Sequence, residues 1–331
     1  MIANKLRPGD LIRVVTPAQS YGIVKQSQRE IATKRVEQDL GLRLSFGKHV
    51  EETDEFSSSS IKSRLEDLHE AFADPEVKGI LCIEGGFNSN QLLPYLDWEL
   101  IKKNPKVLVG YSDITVLNLA ILAKTGLVSY NGPMFSTLGM KKGFEYMVEY
   151  LKKAVMEEPA YEIVPSKEWS DDDWESEQDE RHFHKNEGPW VIASNATGGG
   201  EAEGRIVGGN LSSLALLQGT SFWPGLKDSI LFLEDDYEWK WHHMDRCFQG
   251  IVQQPDFSGV KGIVWGRFEG DSQVSRETLT KAMKATRELV GLPIIGNVDF
   301  GHANPKATIP IGGKARIWGE GEKSKVEILE H

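Results

Sequence analysis

Up to about residue 155, short apolar runs alternate with longer segments in which apolar side chains recur at helical spacing. Leu11–Val15 is one such run, which ends before Pro17, and residues 28–40 have the period of a helix. Residues 60–72 form a second helical segment, after which a new apolar run starts at Gly79. This alternation is typical of βαβ units and predicts a parallel sheet with helices between its strands.

The second half of the chain has a different pattern, strand-like and rich in glycine. Glycines cluster at 198–200, 204–209, 312–313 and 319–321. Helical periods still interrupt this part, and we expect helices over residues 211–218, 243–253 and 276–290. The change indicates an α/β chain of two domains, the first built on a parallel sheet and the second richer in β-structure.

The composition is that of a globular protein that can bury a full core. The chain has 331 residues, 40% of them hydrophobic and 26% charged, and this length fits two domains. A formal net charge of -11 argues against a nucleic-acid partner, because phosphate-binding surfaces need clustered Lys and Arg. Cys82 and Cys247 are too few for a disulfide framework, so we expect reduced thiols.

The apolar runs also indicate where in the cell the protein is located. The start of the chain, Met1 to Asp10, lacks the apolar core of a secretion signal. No run approaches the roughly 20 apolar residues that a membrane-spanning helix needs. We therefore expect a cytoplasmic protein with no membrane partner.

Ser112 lies where an apolar run, residues 106–111, meets a segment of helical period, residues 113–124, that Gly126 closes. A serine on such a tight strand-to-helix turn exposes its hydroxyl, and the next backbone amide faces the same space. Serine is also a favoured helix N-cap, and the second glycine of Gly-x-Ser-x-Gly is missing here. The junction alone is therefore compatible with a nucleophile or with a cap.

Three other apolar runs end in loops that carry the remaining parts of a hydrolytic site. Residues 79–83 lead into Glu84-Gly-Gly86, residues 229–233 into Glu234-Asp-Asp236, and residues 293–300 into Gly301-His302. Ligands of open α/β sheets bind beyond the carboxyl ends of the strands, so we expect these loops to converge near Ser112.

An acidic segment, residues 167–184, separates the two halves and carries Trp169 and Trp174. A solvated linker of this charge rarely holds such large aromatic side chains, so something covers them. Two interpretations are open. The tryptophans dock on the protein as structural cover, or the segment is a lid that faces a ligand.

Several motifs, in order along nearly the whole chain, resemble the LD-carboxypeptidase and microcin C immunity family of serine peptidases. The most specific are Gly110-Tyr-Ser-Asp-Ile-Thr115, Leu233-Glu-Asp235 and Gly301-His-Ala303, and Glu84-Gly-Gly86 adds to them. The resemblance implies a flavodoxin-like N-terminal parallel-sheet domain, residues 1–160, and a β-rich C-terminal domain, residues 196–331. Residues 161–195 would then be the acidic linker or lid.

The same resemblance implies residue roles. Ser112 corresponds to the family's nucleophile, His302 to its general base and Glu234 to its acidic partner, while the amides of Gly86 and Asp113 correspond to its oxyanion hole. It also implies a homodimer. We expect no cofactor and no metal.

The residue types suit that chemistry. A serine hydroxyl needs an adjacent imidazole to take its proton, and the imidazole needs a carboxylate to fix its tautomer.

Two alternatives to these assignments are open. Asp235 and Asp236 compete with Glu234 as the carboxylate that orients the imidazole. The pairs His182/His184 and His242/His243 allow a zinc hypothesis. Neither pair has the i, i+4 spacing of a helical zinc motif, which disfavours a metal.

Two substrates are compatible with the family. One branch removes terminal D-alanine from murein tetrapeptides, and the immunity branch cleaves the amide between an aminoacyl group and a nucleotide. Glu84 before the glycine pair and the long loop with Trp169 and Trp174 favour the second branch, which implies detoxification of a microcin C-like antibiotic. The tryptophans would stack on the base, and Arg246 could bind a carboxylate or phosphate or form a structural salt bridge. A small-molecule binding protein that catalyses nothing is the non-enzyme alternative.

Overall fold

The computed structural model describes residues 1–175, 178–192, 199–238 and 240–331, which form two large β-sheets, a two-stranded ribbon and eight α-helices. The strands are β1 (Leu11–Val15), β2 (Arg43–Phe46), β3 (Val77–Cys82), β4 (Val107–Val109), β5 (Ser129–Asn131), β6 (Tyr161–Glu162), β7 (Glu168–Trp169), β8 (His184–Lys185), β9 (Trp190–Ile192), β10 (Gly199–Asn210), β11 (Ser229–Glu234), β12 (Val260–Gly266), β13 (Ile294–Val298), β14 (Ile309–Ile311), β15 (Lys314–Glu320) and β16 (Lys323–Glu330). The helices are α1 (Gln26–Lys34), α2 (Ile61–Ala73), α3 (Trp98–Lys103), α4 (Thr115–Thr125), α5 (Glu145–Val155), α6 (Leu211–Ala215), α7 (Trp241–Val252) and α8 (Arg276–Ala285).

The first sheet has the strand order β14-β5-β4-β3-β1-β2, and its five N-terminal strands are parallel. The predicted parallel-sheet N-terminal domain is confirmed. Helix α1 is shorter than the helix predicted over 28–40, because the chain continues as a π-helical turn over residues 35–39.

Helix α4 follows Ser112 and is apolar on nearly all sides. Every residue from Thr115 to Leu122 is buried, which explains why its sequence has no polar face. Gly126 ends the helix in the left-handed conformation, with φ of 72°. The helix that carries the turn of Ser112 is therefore fixed inside the protein.

The second sheet has the order β6-β16-β15-β10-β11-β12-β13-β9. Its four central strands, β10 to β13, are parallel and are connected through α6, α7 and α8, while the outer strands pair antiparallel. The β-rich C-terminal part is confirmed, and at its centre it repeats the βαβ connection of the first sheet.

The strands cross the domain limits that we predicted. β6 and β9 lie within residues 161–195 and pair in the second sheet, whereas β14 lies within residues 196–331 and pairs with β5 in the first sheet. The predicted limit between residues 195 and 196, and Gly198, lie outside the described residues.

The acidic segment is held against the loop that carries His302. β7 and β8 form the two-stranded ribbon, and Ser170 exchanges backbone hydrogen bonds with Asn304 at 2.7 and 2.9 Å. Within the described ranges, the helices are all too short or too polar to cross a membrane.

Candidate functional site

Ser112 follows β4 at the carboxyl end of the first sheet and starts a short 3-10 turn that leads into α4. Its backbone φ is 60°, in the left-handed region that a serine rarely occupies. Such a conformation costs about 1 to 3 kcal/mol and persists only where the surrounding fold enforces it. The fold therefore holds Ser112 in a conformation that a simple helix cap does not need.

His302 and Glu234 come from the second sheet and reach Ser112 in a continuous chain of contacts. Nδ1 of His302 lies 2.6 Å from Oε2 of Glu234, and Nε2 lies 3.1 Å from Oγ of Ser112. Glu234 is the last residue of β11 and is fully buried, and His302 lies in the loop after β13. The structure thus brings together the three residues that the sequence predicted, across the two sheets.

The carboxylate of Glu234 controls the charge of His302. Burial alone lowers the pKa of His302, but the charge of Glu234 and its hydrogen bond outweigh burial, and with Glu269 they raise the pKa to about 9. An imidazolium in this position is therefore strongly stabilised. When His302 is neutral, Nδ1 donates to Glu234 and the Ser112 hydroxyl donates to Nε2.

The glycine pair after β3 lies directly on Ser112. A methyl group at Gly85 would lie 3.0 Å from Cβ and 3.1 Å from Oγ of Ser112, and Gly86 has a φ of 137°. A side chain at either position would therefore be strained or would crowd the hydroxyl. The carboxylate of Asp113 braces this loop by accepting the backbone amides of Asn88 at 3.1 Å and Ser89 at 2.9 Å. We predicted that the backbone amide of Asp113 contributes to the oxyanion hole, but not that its carboxylate braces the glycine loop.

Asp235, the competitor of Glu234, has other partners. Its Oδ1 accepts Nδ2 of Asn210 at 2.9 Å and Oγ of Ser212 at 3.1 Å. Burial, followed by the charges of Glu234 and Asp236, raises the pKa of Asp235 to about 7. The backbone amide of Asn210 also donates to Oγ1 of Thr115 at the start of α4, so this cluster links the serine helix to the strand of Glu234.

Lys306 is a buried cation behind the site that the sequence did not reveal. It is 2% exposed, its Nζ donates to the backbone oxygen of His302 at 3.2 Å, and it lies 4.0 Å from the ring centre of Tyr111. Burial lowers the pKa of Lys306 to about 8 against the opposing effect of Glu234, Glu269 and Glu84. No local motif marks this lysine, because its neighbours are brought together only by the fold.

Ser112 and His302 open into a cleft of about 780 Å³ that Trp174 also lines. Trp174 is 9% exposed, so other residues cover most of its side chain. Trp169 is not among the described residues that line the cleft. It packs on the guanidinium of Arg267, 5.0 Å from the ring centre, and beside His184. Arg267 therefore packs on a face of Trp169, and the ligand contact of Trp169 stays a prediction.

Arg246 also lies elsewhere. Its side chain is exposed on α7 and does not belong to the described lining of the cleft, so the structure does not bring it to Ser112. His242 and His243 are on the same helix, and His182 contacts Asp172. Among the residues that the structure describes, no three His, Cys, Asp or Glu side chains are grouped so that they could hold a metal ion.

Comparison with known proteins agrees with this geometry. Residues 12–132 match the LD-carboxypeptidase N-terminal domain and residues 203–317 match the LD-carboxypeptidase C-terminal domain. The YocD protein of Bacillus subtilis is 48% identical over 331 residues, which is 100% of both chains. The crystal structure of an MccF-like protein from Bacillus anthracis is also 48% identical, covers 100% of both chains and has a TM-score of 0.97.

A more distant relative has a named activity in immunity. The microcin C7 self-immunity protein MccF of Escherichia coli is 31% identical over 296 residues, 85% of this chain and 82% of MccF. A structure of MccF in complex with aspartyl sulfamoyl adenosine has a TM-score of 0.88 at 28% identity and covers 100% of this chain and 99% of that one. Together with the two domain matches, these similarities show that the chain belongs to the LD-carboxypeptidase family of serine peptidases.

Proposed function

We propose that this serine peptidase cleaves the amide between an aminoacyl group and a nucleotide, with Ser112, His302 and Glu234 as its catalytic triad. The observation that carries the proposal is the contact chain from Glu234 through His302 to Ser112, at 2.6 and 3.1 Å, which opens into a cleft. A nucleophile, a base and a base-orienting carboxylate in that order are what acyl transfer from an amide requires.

The reaction follows from this arrangement. Neutral His302 takes the hydroxyl proton as Oγ of Ser112 attacks the carbonyl carbon, and the imidazolium that forms is stabilised by Glu234. The backbone amides of Gly86 and Asp113 stabilise the oxyanion. His302 then gives its proton to the leaving nitrogen, which breaks the amide bond and leaves an acyl-enzyme. Water, activated by His302, hydrolyses that ester and restores Ser112.

Two observations support the nucleotide. Trp174 lines the cleft, where it can contact a base, and MccF has been solved with aspartyl sulfamoyl adenosine. Trp169 and Arg246 are not part of this proposal. In a cell, such an activity would remove a microcin C-like antibiotic and give self-immunity.

The family also favours a second candidate, release of D-alanine from murein tetrapeptides, because both matched domains are those of LD-carboxypeptidases. Purified protein should be given aspartyl sulfamoyl adenosine and an L,D-tetrapeptide ending in D-alanine in parallel, with Ser112→Ala as the matched control. Faster hydrolysis of the adenosine compound supports our proposal. Faster release of D-alanine supports the second candidate, and turnover that survives in Ser112→Ala contradicts both.

A binding protein without catalysis is distinguished by covalent trapping. A serine-reactive inhibitor should add its mass to Ser112 in the native chain and not in Ser112→Ala, as measured by mass spectrometry of the digested protein. The homodimer and the cytoplasmic location remain predictions, which light scattering and cell fractionation test.

A further inference from the structure

The ammonium group of Lys306 lies between the loop of the proposed base and the turn of the proposed nucleophile. Lys306 is in the connection from β13 to β14 and is 2% exposed. Its Nζ donates to the backbone oxygen of His302 at 3.2 Å and lies 4.0 Å from the ring centre of Tyr111, the residue before Ser112. The rings of Tyr111 and His302 have centres 5.2 Å apart. One buried cation therefore contacts both halves of the proposed site, which come from different sheets.

The carboxylates near His302 favour its protonated form. Glu234 accepts from Nδ1 at 2.6 Å, and Glu269 acts through its charge. Asp235 also interacts electrostatically with His302 and adds to this effect whenever it is ionised. An imidazole surrounded only by these acids would remain protonated and could not take the proton of Ser112.

Lys306 opposes the effect of these acids. Burial lowers the pKa of His302, Glu234 and Glu269 raise it, and the charge of Lys306 lowers it. Two neighbouring positive charges repel each other, so a protonated Lys306 disfavours the imidazolium and favours the neutral base.

Lys306 carries this charge at neutral pH. Burial lowers its pKa to about 8. The charges of Glu234, Glu269 and Glu84 oppose burial, and the cation Arg181 adds to it. Below about pH 8, Lys306 is therefore a buried, charged group that has no ion-pair partner among the described residues, and such groups concentrate at functional sites.

We propose that Lys306 is a positioning residue for the general base. Its ammonium group holds the backbone of His302 against the ring of Tyr111 and, as a second positive charge beside the imidazole, favours the neutral form that can take the Ser112 proton. This inference rests on the proposed function, because it concerns the base of that triad. It goes beyond the triad by adding a residue that acts on the reaction only through His302.

The pH profile of kcat/KM, with aspartyl sulfamoyl adenosine as substrate, tests the charge. Lys306→Met keeps the length of the side chain and removes the charge, so the midpoint of the profile should move up by about one pH unit. At pH 7, kcat/KM should then fall by about tenfold. The loss should shrink above pH 9, where Lys306 is itself neutral, and leave only the smaller effect of the missing hydrogen bond. Lys306→Arg retains a positive charge and should keep the native midpoint.

Lys106→Met is the matched control. Lys106 is also a buried lysine, 7% exposed, whose Nζ donates to the backbone oxygen of Ala71 at 2.8 Å, and burial lowers its pKa to about 8 as well. It precedes β4, whereas Ser112 follows that strand, so it lies at the opposite end from the site. Lys106→Met should lower stability without moving the midpoint, and thermal unfolding shows which variants are folded.

A direct titration of His302 needs no turnover. Protein labelled with carbon-13 in its histidine rings gives the pKa of His302 by NMR, and the signal missing from His302→Gln identifies it. We expect this pKa to rise in Lys306→Met and to stay the same in Lys106→Met. If either measurement leaves the midpoint unchanged or lowers it in Lys306→Met, this inference alone is overturned, because Lys306 then only supports the structure. Turnover that survives in Ser112→Ala overturns the proposed triad and the inference with it.

Discussion

The carboxylate of Asp113 accepts the backbone amide of Ser89 at 2.9 Å, and the hydroxyl of Ser89 donates to the backbone oxygen of Asp113 at 2.8 Å. These two bonds join the turn of Ser112 to the glycine loop that lies on it. The two amides proposed for the oxyanion hole belong to these two segments, so their separation depends on this contact.

Replacement of Asp113 should therefore affect the rate more than substrate binding. We expect Asp113→Ala to lower kcat by about tenfold to a hundredfold with a small change in KM, because the oxyanion donors lose their alignment. In Asp113→Asn the single amide oxygen can still accept both backbone amides, so most activity should remain. Steady-state kinetics on both variants checks this, and an equal loss in the two would mean that charge, rather than alignment, is what Asp113 supplies.

Substitutions of Ser112 test both its role as the nucleophile and the strain of its backbone. Ser112→Ala should lower turnover by roughly a thousandfold or more, since the nucleophile is lost while the fold is kept. Ser112→Gly should be equally inactive and more stable than Ser112→Ala by about 1 kcal/mol, because glycine adopts a φ of 60° without strain. Chemical denaturation measures the difference in the free energy of unfolding, and a less stable glycine variant would show that the backbone there is relaxed.

Much of the fold follows from local pattern. The apolar run that precedes Ser112, and the segment of helical period that follows it, predict β4 and α4, and both form as expected. Glu234 and His302 follow parallel strands of the second sheet, whose carboxyl ends share one edge, so these two residues could be expected to meet, whereas Ser112 reaches them from the first sheet.

Other features depend on contacts between distant residues and leave no local signal. β14 is only Ile309–Ile311, and nothing in these residues indicates that they leave the second sheet to pair with β5. The same holds for Lys306, whose partners are distant in sequence, and for Trp169, whose face is covered by Arg267. The sequence indicates that these side chains are buried or large, but only the tertiary fold determines which residues they contact.

The rate should depend on pH through His302. The base must be neutral, and its pKa is raised to about 9. We therefore expect kcat/KM to increase as the pH rises to about 9 and to be lower at every more acidic pH. Glu234→Gln removes the charge that raises this pKa, so the midpoint should move down toward the ordinary value of 6.5, with a lower maximal rate. A pH profile of kcat/KM for both proteins measures the shift, and an upward shift in Glu234→Gln would contradict the assignment of Glu234.

Chelators should leave the activity unchanged. The proposed reaction uses Ser112 and His302, and among the described residues no group of three metal-binding side chains is present to supply a second route. Protein dialysed against EDTA should retain its kcat/KM within about twofold, as measured beside an untreated sample. Loss of activity that added zinc restores would favour the metal hypothesis, and His242→Ala with His243→Ala would then test the pair on α7.

The two tryptophans of the acidic segment should differ in effect. Trp174 lines the cleft, so Trp174→Ala should raise KM for an aminoacyl sulfamoyl adenosine by about tenfold to a hundredfold, the factor that 1 to 3 kcal/mol of base stacking represents. Trp174→Phe keeps a stacking ring and should lose less.

Trp169→Ala is the matched control for that experiment. Its ring packs on Arg267 away from the cleft, so the variant should keep KM and lose about 1 to 2 kcal/mol of stability. Kinetics on a tetrapeptide without a base completes the comparison, because stacking is lost only for a substrate that has a base. If Trp174→Ala impairs both substrates equally, Trp174 supports the cleft wall and does not recognise a base. If KM rises only in Trp169→Ala, then Trp169 contacts the substrate as part of a lid. In that case the acidic segment must move when substrate binds.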